Sequence, residues 1–281
     1  MGTLYLVATP IGNLEDVSSR GLRILGSVRL IAAEDTRVTR KLLSHFDIHT
    51  RLVSYFEHNK LTRLNAILAE LEAGDVALVS DAGTPGLNDP GYELVRAALD
   101  AGHRVSPIPG PASPIAALIS SGLATDAFLY LGYLPRKAAD RKSVLGRVAA
   151  LPYTLIFLDT PHRVLDSLRD LEAALGDRRM AVARELTKLH EEIWRGSIHQ
   201  AREHFREPRG EFVLVIEGAI GGGHERWSEQ QMLNAIREQL RGGETASDLA
   251  AKLTEVSGWR RRDIYALTIK QDTQRMNDGQ R

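Results

Sequence analysis

Four acidic side chains sit on or beside small-residue loops, where a proton or a cation could be handled. Glu34 and Asp35 stand in Ala33-Glu34-Asp35-Thr36-Arg37, and Asp81 in Ser80-Asp81-Ala82-Gly83-Thr84-Pro85-Gly86. Glu185 stands in Ala183-Arg184-Glu185-Leu186-Thr187-Lys188. A carboxylate so placed could act as a general base. Asp81 could equally be an Asx residue holding loop amides, and Glu34-Asp35 could equally cap a helix over Val38–Phe46. Lys188 could bind phosphate, lower a hydroxyl pKa, or be a solvated lysine. His58, in Ser54-Tyr55-Phe56-Glu57-His58-Asn59, titrates near neutrality and is a further candidate base.

These residues need strands and helices to hold them. Leu4–Ala8, Leu30–Ala33, Val76–Ser80 and Val105–Ile108 read as strands. Leu61, Leu64, Ile67, Leu68 and Leu71 recur at helical spacing. Asp89-Pro90 reads as the N-cap and first turn of a helix through Leu94, Val95, Ala98 and Leu99, stopped by Gly102. Such alternation predicts a mainly parallel α/β sheet, whose ligands sit beyond the carboxyl ends of the strands. The loops Thr9-Pro10-Ile11-Gly12-Asn13, 34–37, 80–86 and 107–114 all lie there. None carries G-x-G-x-x-G or G-x-x-x-x-G-K-[ST], so neither a standard dinucleotide site nor a P-loop is present. Glycine-rich loops of this kind suit a ligand without phosphate, such as S-adenosylmethionine, and no histidine pairing suggests a metal.

The stiff bend Pro107-Ile108-Pro109-Gly110-Pro111-Ala112-Ser113-Pro114 marks a boundary. It divides an N-terminal α/β lobe, 1–112, from a second, 113–220. In the second lobe Thr154–Leu158, Met180–Ala183, Glu192–Trp194 and Glu211–Glu217 read as strands of a mixed or antiparallel sheet. Thr160-Pro161 opens a helix that ends at Gly176. Gly221-Gly222-Gly223 reads as a linker, and 224–281 as a small helix-turn-helix-like domain. Its first helix is capped by Ser228 with Gln231 and stopped by Gly242-Gly243. A chain of 281 residues suits two such domains at about 100–200 residues each.

Composition narrows the function class. Lys plus Arg is 36, Asp plus Glu is 36 and Cys is 0. Zero net charge gives no global argument for nucleic acid, so any such contact must come from local clusters. Absent cysteine excludes disulfides and thiol catalysis. No apolar run approaches a membrane span, and the first residues lack the form of a signal peptide, so a cytoplasmic location is expected.

The ordered loops resemble the tetrapyrrole-methylase superfamily, most closely its RsmI-like branch, the 16S ribosomal RNA cytidine 2′-O-ribose methyltransferases. The carrying segments are Leu4–Leu14, Ala33–Arg37, Ser54–Asn59, Val79–Pro85 with Asp89-Pro90-Gly91, and Pro107–Pro111. Pro161-His162-Arg163, Ala183–Lys188 and Gly210–Leu214 extend the match through the second lobe, roughly over 3–218. Two departures stand out: Leu158-Asp159-Thr160 replaces a common Tyr-Glu pair, and Gly86-Leu87-Asn88 an aliphatic-Ile-Ser run.

The resemblance implies a two-lobed core with S-adenosylmethionine folded in the cleft between lobes, and a homodimer. It implies that Pro10, Asp81, Ala82, Gly83, Thr84 and Pro85 line the cofactor from one lobe, and Ser113, Phe157 and Leu186 from the other. It makes a ribose hydroxyl the acceptor, with Asp81, Glu34, Asp35 and Lys188 as catalytic candidates. Small-subunit RNA would then meet Arg37, Arg40, His58, Asn59, Arg136, Lys137 and Arg163. Arg141, Lys142 and Arg260-Arg261-Arg262 add to these basic clusters, though any of them could be a solvated helix face. Two other readings are a porphyrinoid methyltransferase of the same superfamily and a non-catalytic RNA-binding or assembly factor.

Overall fold

The computed structural model describes residues 2–219, 227–241, 244–259 and 261–278. The first lobe runs β1 (Thr3–Val7), α1 (Ser19–Ser27), β2 (Leu30–Ala33), α2 (Thr36–His45), β3 (Leu52–Ser54), α3 (Lys60–Ala73), β4 (Val76–Val79), α4 (Tyr92–Asp100) and β5 (Arg104–Ile108). Its strands form one parallel sheet in the order β3-β2-β4-β1-β5. Every residue of β2 and β4 is buried, as a parallel sheet covered on both faces requires. Leu30, Ala32 and Leu78 pack with Ile67, Leu71 and Leu94 in one core cluster. Ile31, Ala33 and Val79 pack with Ile24, Leu25 and Leu43 in another. The period of two along each strand divides them this way.

The second lobe runs α5 (Ser113–Ser121), β6 (Phe128–Tyr133), α6 (Ala138–Val148), β7 (Thr154–Asp159), α7 (Val164–Leu175), β8 (Arg179–Arg184), β9 (Glu192–Ser197), α8 (Ile198–His204) and β10 (Phe212–Ile216). Its sheet order is β6-β7-β10-β8-β9, with β6 and β7 parallel and the other neighbours antiparallel. Helix α5 packs on one face, against Ile156, Ala181, Ala183 and Val215. Leu158 faces the same way as Ile156, so Phe157 between them points to the other face, where it is fully buried.

The tail forms α9 (Glu229–Arg241), α10 (Ala246–Ser257) and α11 (Arg261–Asp278). Met232, Ile236, Leu249, Ala250, Leu253 and Ile264 make its core. Ser228 and Gln231 close the expected capping box, at 2.7 and 3.2 Å. The expected linker at 221–223, the stop at 242–243 and Arg260 lie outside the described residues. Among the described residues, those within 1–145 and 154–217 form one compact unit, and those within 146–153 and 218–281 a second. Both expected lobes thus belong largely to a single unit.

Strands β3 and β6 and the start of α4 differ from expectation. β3 and β6 carry no clear alternation and are absent from the sequence reading. Asp89 does not cap α4; the helix begins at Tyr92 behind Gly91, whose φ of 160° ends the loop. Asp89 is left free to face the ligand cleft described next.

Candidate active site

The parallel strands end in loops that fasten to one another. After β1 and β4, Thr9 and Gly83 exchange two amide-to-carbonyl hydrogen bonds of 2.9 Å, forming an isolated antiparallel bridge. Gly83 has a φ of +79°, where a side chain would be strained. The Thr84 hydroxyl donates to the Pro111 carbonyl at 3.1 Å, tying this loop to the proline bend. A Cβ on Gly12 would fall 2.5 Å from Lys188 Cγ and 2.8 Å from the Leu186 carbonyl. That glycine therefore lets the first loop of one lobe seat on the 185–188 turn of the other.

A cleft of about 280 Å³ opens between these loops and the second sheet. Ile11, Glu34, Asp81, Ala82, Gly83, Thr84, Leu87, Asn88 and Asp89 line it from the first lobe. Ala112, Ser113 and Pro114 follow from the bend and the start of α5. Tyr130, Tyr133, Leu158, Asp159, Ala183, Leu186, Glu211, Phe212 and Val213 complete it from the second lobe.

Carboxylates dominate one side. Glu34 Oε2 accepts the Asp81 amide at 3.3 Å, and Asp81 Oδ1 accepts the Asp35 amide at 2.9 Å. Burial raises the carboxyl pKa values of Glu34, Asp81 and Asp89, and their mutual repulsion raises Glu34 further. Asp35 differs. It caps α2 through the Arg37 amide at 2.8 Å and grips the Arg37 guanidinium at 2.6 Å, which lowers its pKa to about 2. So weak a base suits a helix cap and ion pair rather than proton abstraction.

Beside the opposite wall, Lys188 donates to Glu185 at 3.0 Å and to Glu211 at 3.1 Å. Burial opposes its charge, but the two carboxylates outweigh burial and raise its pKa. Glu185 and Thr187 hold φ of 50° and 64°, conformations that L residues rarely adopt. Such strain concentrates at ligand sites.

Of the expected cofactor residues, Asp81, Ala82, Gly83, Thr84, Ser113 and Leu186 line the cleft, and Pro10, Pro85 and Phe157 do not. Phe157 is on the wrong face of β7, and Leu158 stands in its place. Glu34 and Asp81 line the cleft; Asp35 and Lys188 stand outside its wall. None of Arg37, Arg40, His58, Asn59, Arg136, Lys137 or Arg163 lines it. Arg37, Arg40, His58, Arg136 and Lys137 are exposed. Asn59 is committed locally, accepting from the Phe56 amide at 2.8 Å and donating to the Ser54 carbonyl at 3.2 Å. Arg141, expected in a basic surface cluster, is 5% exposed and paired with Asp170 at 2.5 Å. Asn88 and Asp159, from the two segments that depart from the family pattern, also line the cleft, and Asp89, Tyr130, Tyr133 and Glu211 join them without having been candidates in the sequence. The pair Tyr130-Tyr133 around Gly132 was the available signal.

The cleft fits S-adenosylmethionine. Its carboxylates suit a sulfonium and an ammonium. Ala183, Leu186 and Val213 offer an apolar wall for an adenine.

Comparison with known proteins gives the same direction. Residues 3–202 match the family Tetrapyrrole (Corrin/Porphyrin) Methylases. A Synechocystis protein named Ribosomal RNA small subunit methyltransferase I is 48% identical over 96% of this chain and 98% of its own length. Its namesake from Halalkalibacterium halodurans is 44% identical over 94% and 93%. Its namesake from Escherichia coli O157:H7 is 43% identical over 96% and 96%. Crystal structures of uroporphyrin-III-C-methyltransferase from Thermus thermophilus share the fold, with TM-scores of 0.53 and 0.55 at 21% and 20% identity. They cover 76% and 77% of this chain, and 94% and 97% of their own chains. The family match over residues 3–202 and the 43–48% identity to these relatives over nearly the full chain establish that the chain belongs to the tetrapyrrole methylase family, in its small-subunit ribosomal RNA methyltransferase I branch.

Proposed function

We propose that this chain transfers a methyl group from S-adenosylmethionine to the ribose 2′-hydroxyl of a cytidine in 16S ribosomal RNA. The observation that carries this reading is the 43–48% identity, over nearly the full length, to enzymes named for small-subunit ribosomal RNA methylation.

The cofactor supplies a methyl group already activated by its sulfonium. The chain must then orient the acceptor oxygen and take its proton. Alignment of this kind is worth about 7–11 kcal/mol in favourable cases. Asp81 to Thr84 would hold the donor from the first lobe, and Ser113, Leu158 and Leu186 from the second. Glu34 takes the hydroxyl proton. It lines the cleft, and its raised pKa makes it a better base than the ion-paired Asp35. Asp81 would offer its carboxylate to the positive groups of the donor. Lys188 is a positioning residue that holds Glu185 and Glu211 in place.

The same proposal assigns 1–112 and 113–220 to the cofactor cleft and 224–281 to grip on RNA. It takes the working form as a homodimer, in the cytoplasm, acting on the small ribosomal subunit. The test is methyl transfer from labelled S-adenosylmethionine to small-subunit particles lacking the modification, followed by nucleoside analysis. Label in 2′-O-methylcytidine is the expected result. Intact particles left unlabelled by cofactor-bound enzyme would overturn the reading.

A further inference from the structure

The cleft carries a further carboxylate beside the acidic trio. Asp159, the last residue of β7, is 2% exposed and lines the cleft. Its Oδ1 accepts the Thr160 amide at 2.7 Å and Arg163 Nε at 2.6 Å. Its Oδ2 is also buried, and no described residue donates to it. A buried carboxylate oxygen without a donor is costly, and a ligand that brings one relieves that cost.

An aromatic surface stands beside it. Tyr133 lines the same cleft, is 51% exposed, and carries the Arg163 guanidinium over its ring at 5.6 Å. A β-bulge between Tyr130 and Tyr133 interrupts the pairing with β7 just before this residue. Exposed rings and guanidinium planes are the surfaces on which unpaired RNA bases stack. Beside such a surface, an unpaired acceptor discriminates. Cytosine presents an amino donor at N4, which a carboxylate accepts. Uracil presents a carbonyl oxygen there, which a carboxylate repels.

We propose that Tyr133, its ring backed by Arg163, seats the acceptor base and that Asp159 Oδ2 selects cytosine over uracil. This rests on the reading that the acceptor is a cytidine. The donor's amino group and ribose hydroxyls are competing partners for Asp159, and the test separates them.

Wild-type enzyme is first assayed on small-subunit particles to locate the acceptor cytidine. Particles with uridine at that position are then compared. Asp159→Asn keeps an oxygen for the Thr160 amide but adds an amide donor that uracil can use. Its cytidine-over-uridine ratio of kcat/KM falls about 10-fold or more, while calorimetric affinity for S-adenosylmethionine stays within about twofold. An unchanged ratio, or a loss confined to cofactor affinity, overturns the proposal. If Asp159→Asn does not fold, Tyr133→Leu decides. It raises KM for the particles about fivefold or more, and Tyr133→Phe restores most of that loss. A KM unmoved by Tyr133→Leu is the contrary result. Wild-type enzyme that labels cytidine while the variants fail these expectations sinks only the base seat. Wild-type enzyme that labels no cytidine sinks the functional reading and this inference together.

Discussion

Glu34 and Asp35 are adjacent in sequence, yet only Glu34 faces the cleft, where burial raises its carboxyl, while hydrogen bonds from Arg37 hold Asp35 down at about 2. Side-chain chemistry alone ranks them equally; environment separates them. Glu34→Gln is expected to lower kcat about 10²–10⁴-fold, the range of general-base catalysis, with cofactor affinity little changed. Asp81→Asn is expected to weaken cofactor binding as well, which calorimetry reads directly. The pH profile gives an independent check. The ionised base is the active form, so activity is present above its pKa and lost as pH falls through it. With that pKa raised, the acid limb of kcat/KM lies above the ordinary glutamate value of about 4.3. It belongs to the Glu34–Asp81–Asp89 cluster as a coupled set. A limb unmoved in Glu34→Gln would remove Glu34 from the role.

The 185–188 turn shows how an element sustains a strained conformation. Gly210, at φ +81°, lies so close that a Cβ there would meet Glu185 Cγ at 2.4 Å. Gly210→Ala is expected to cost at least about 1–2 kcal/mol from the left-handed backbone alone. It also displaces Glu185 from the Glu211 amide, which that carboxylate accepts at 3.0 Å. Urea denaturation measures the cost, and a loss below about 0.5 kcal/mol would mean that the turn relaxes freely. At this scale the sequence was partly legible. Strands β1, β2, β4, β5, β7, β8 and β10 announce themselves as short apolar runs. β3 has three half-buried residues at a sheet edge, too short for any period. Phe128-Leu129-Tyr130-Leu131-Gly132-Tyr133 is bent by its bulge, so its alternation fails. That Phe157 turns away from the cleft while Leu158 lines it is not legible in one strand, because strand parity follows from pairing partners, which a single strand does not display. Arg141 resembles its basic neighbours until the fold places Asp170 against it.

Across the whole molecule, charge is balanced, so recognition of RNA falls to local surfaces. Arg261 and Arg262 are exposed at the start of α11, above a tail core of its own. Removing 224–281 would also take away most of the unit to which residues 146–153 belong. Substitution is the cleaner probe. Arg261→Ala with Arg262→Ala is expected to weaken particle binding and reduce its salt slope by about one for each arginine. Cofactor affinity is expected to stay unchanged. An unaltered salt slope would remove these arginines from the RNA-facing surface.

The reciprocal bridge between Thr9 and Gly83 has a consequence for how the chain is born. It joins loops that close only after β4 has paired between β1 and β2, and the opposite wall waits for Phe212 and Val213 in β10. A nascent chain emerges N-terminus first, and parallel strands must close long loops before they pair. The cradle for a cofactor is therefore incomplete until Val213 has been synthesised. From then on, occupancy favours the folded state by mass action. A chain made where the methyl donor is scarce is expected to stay protease-sensitive for longer after synthesis, with no change in the finished enzyme.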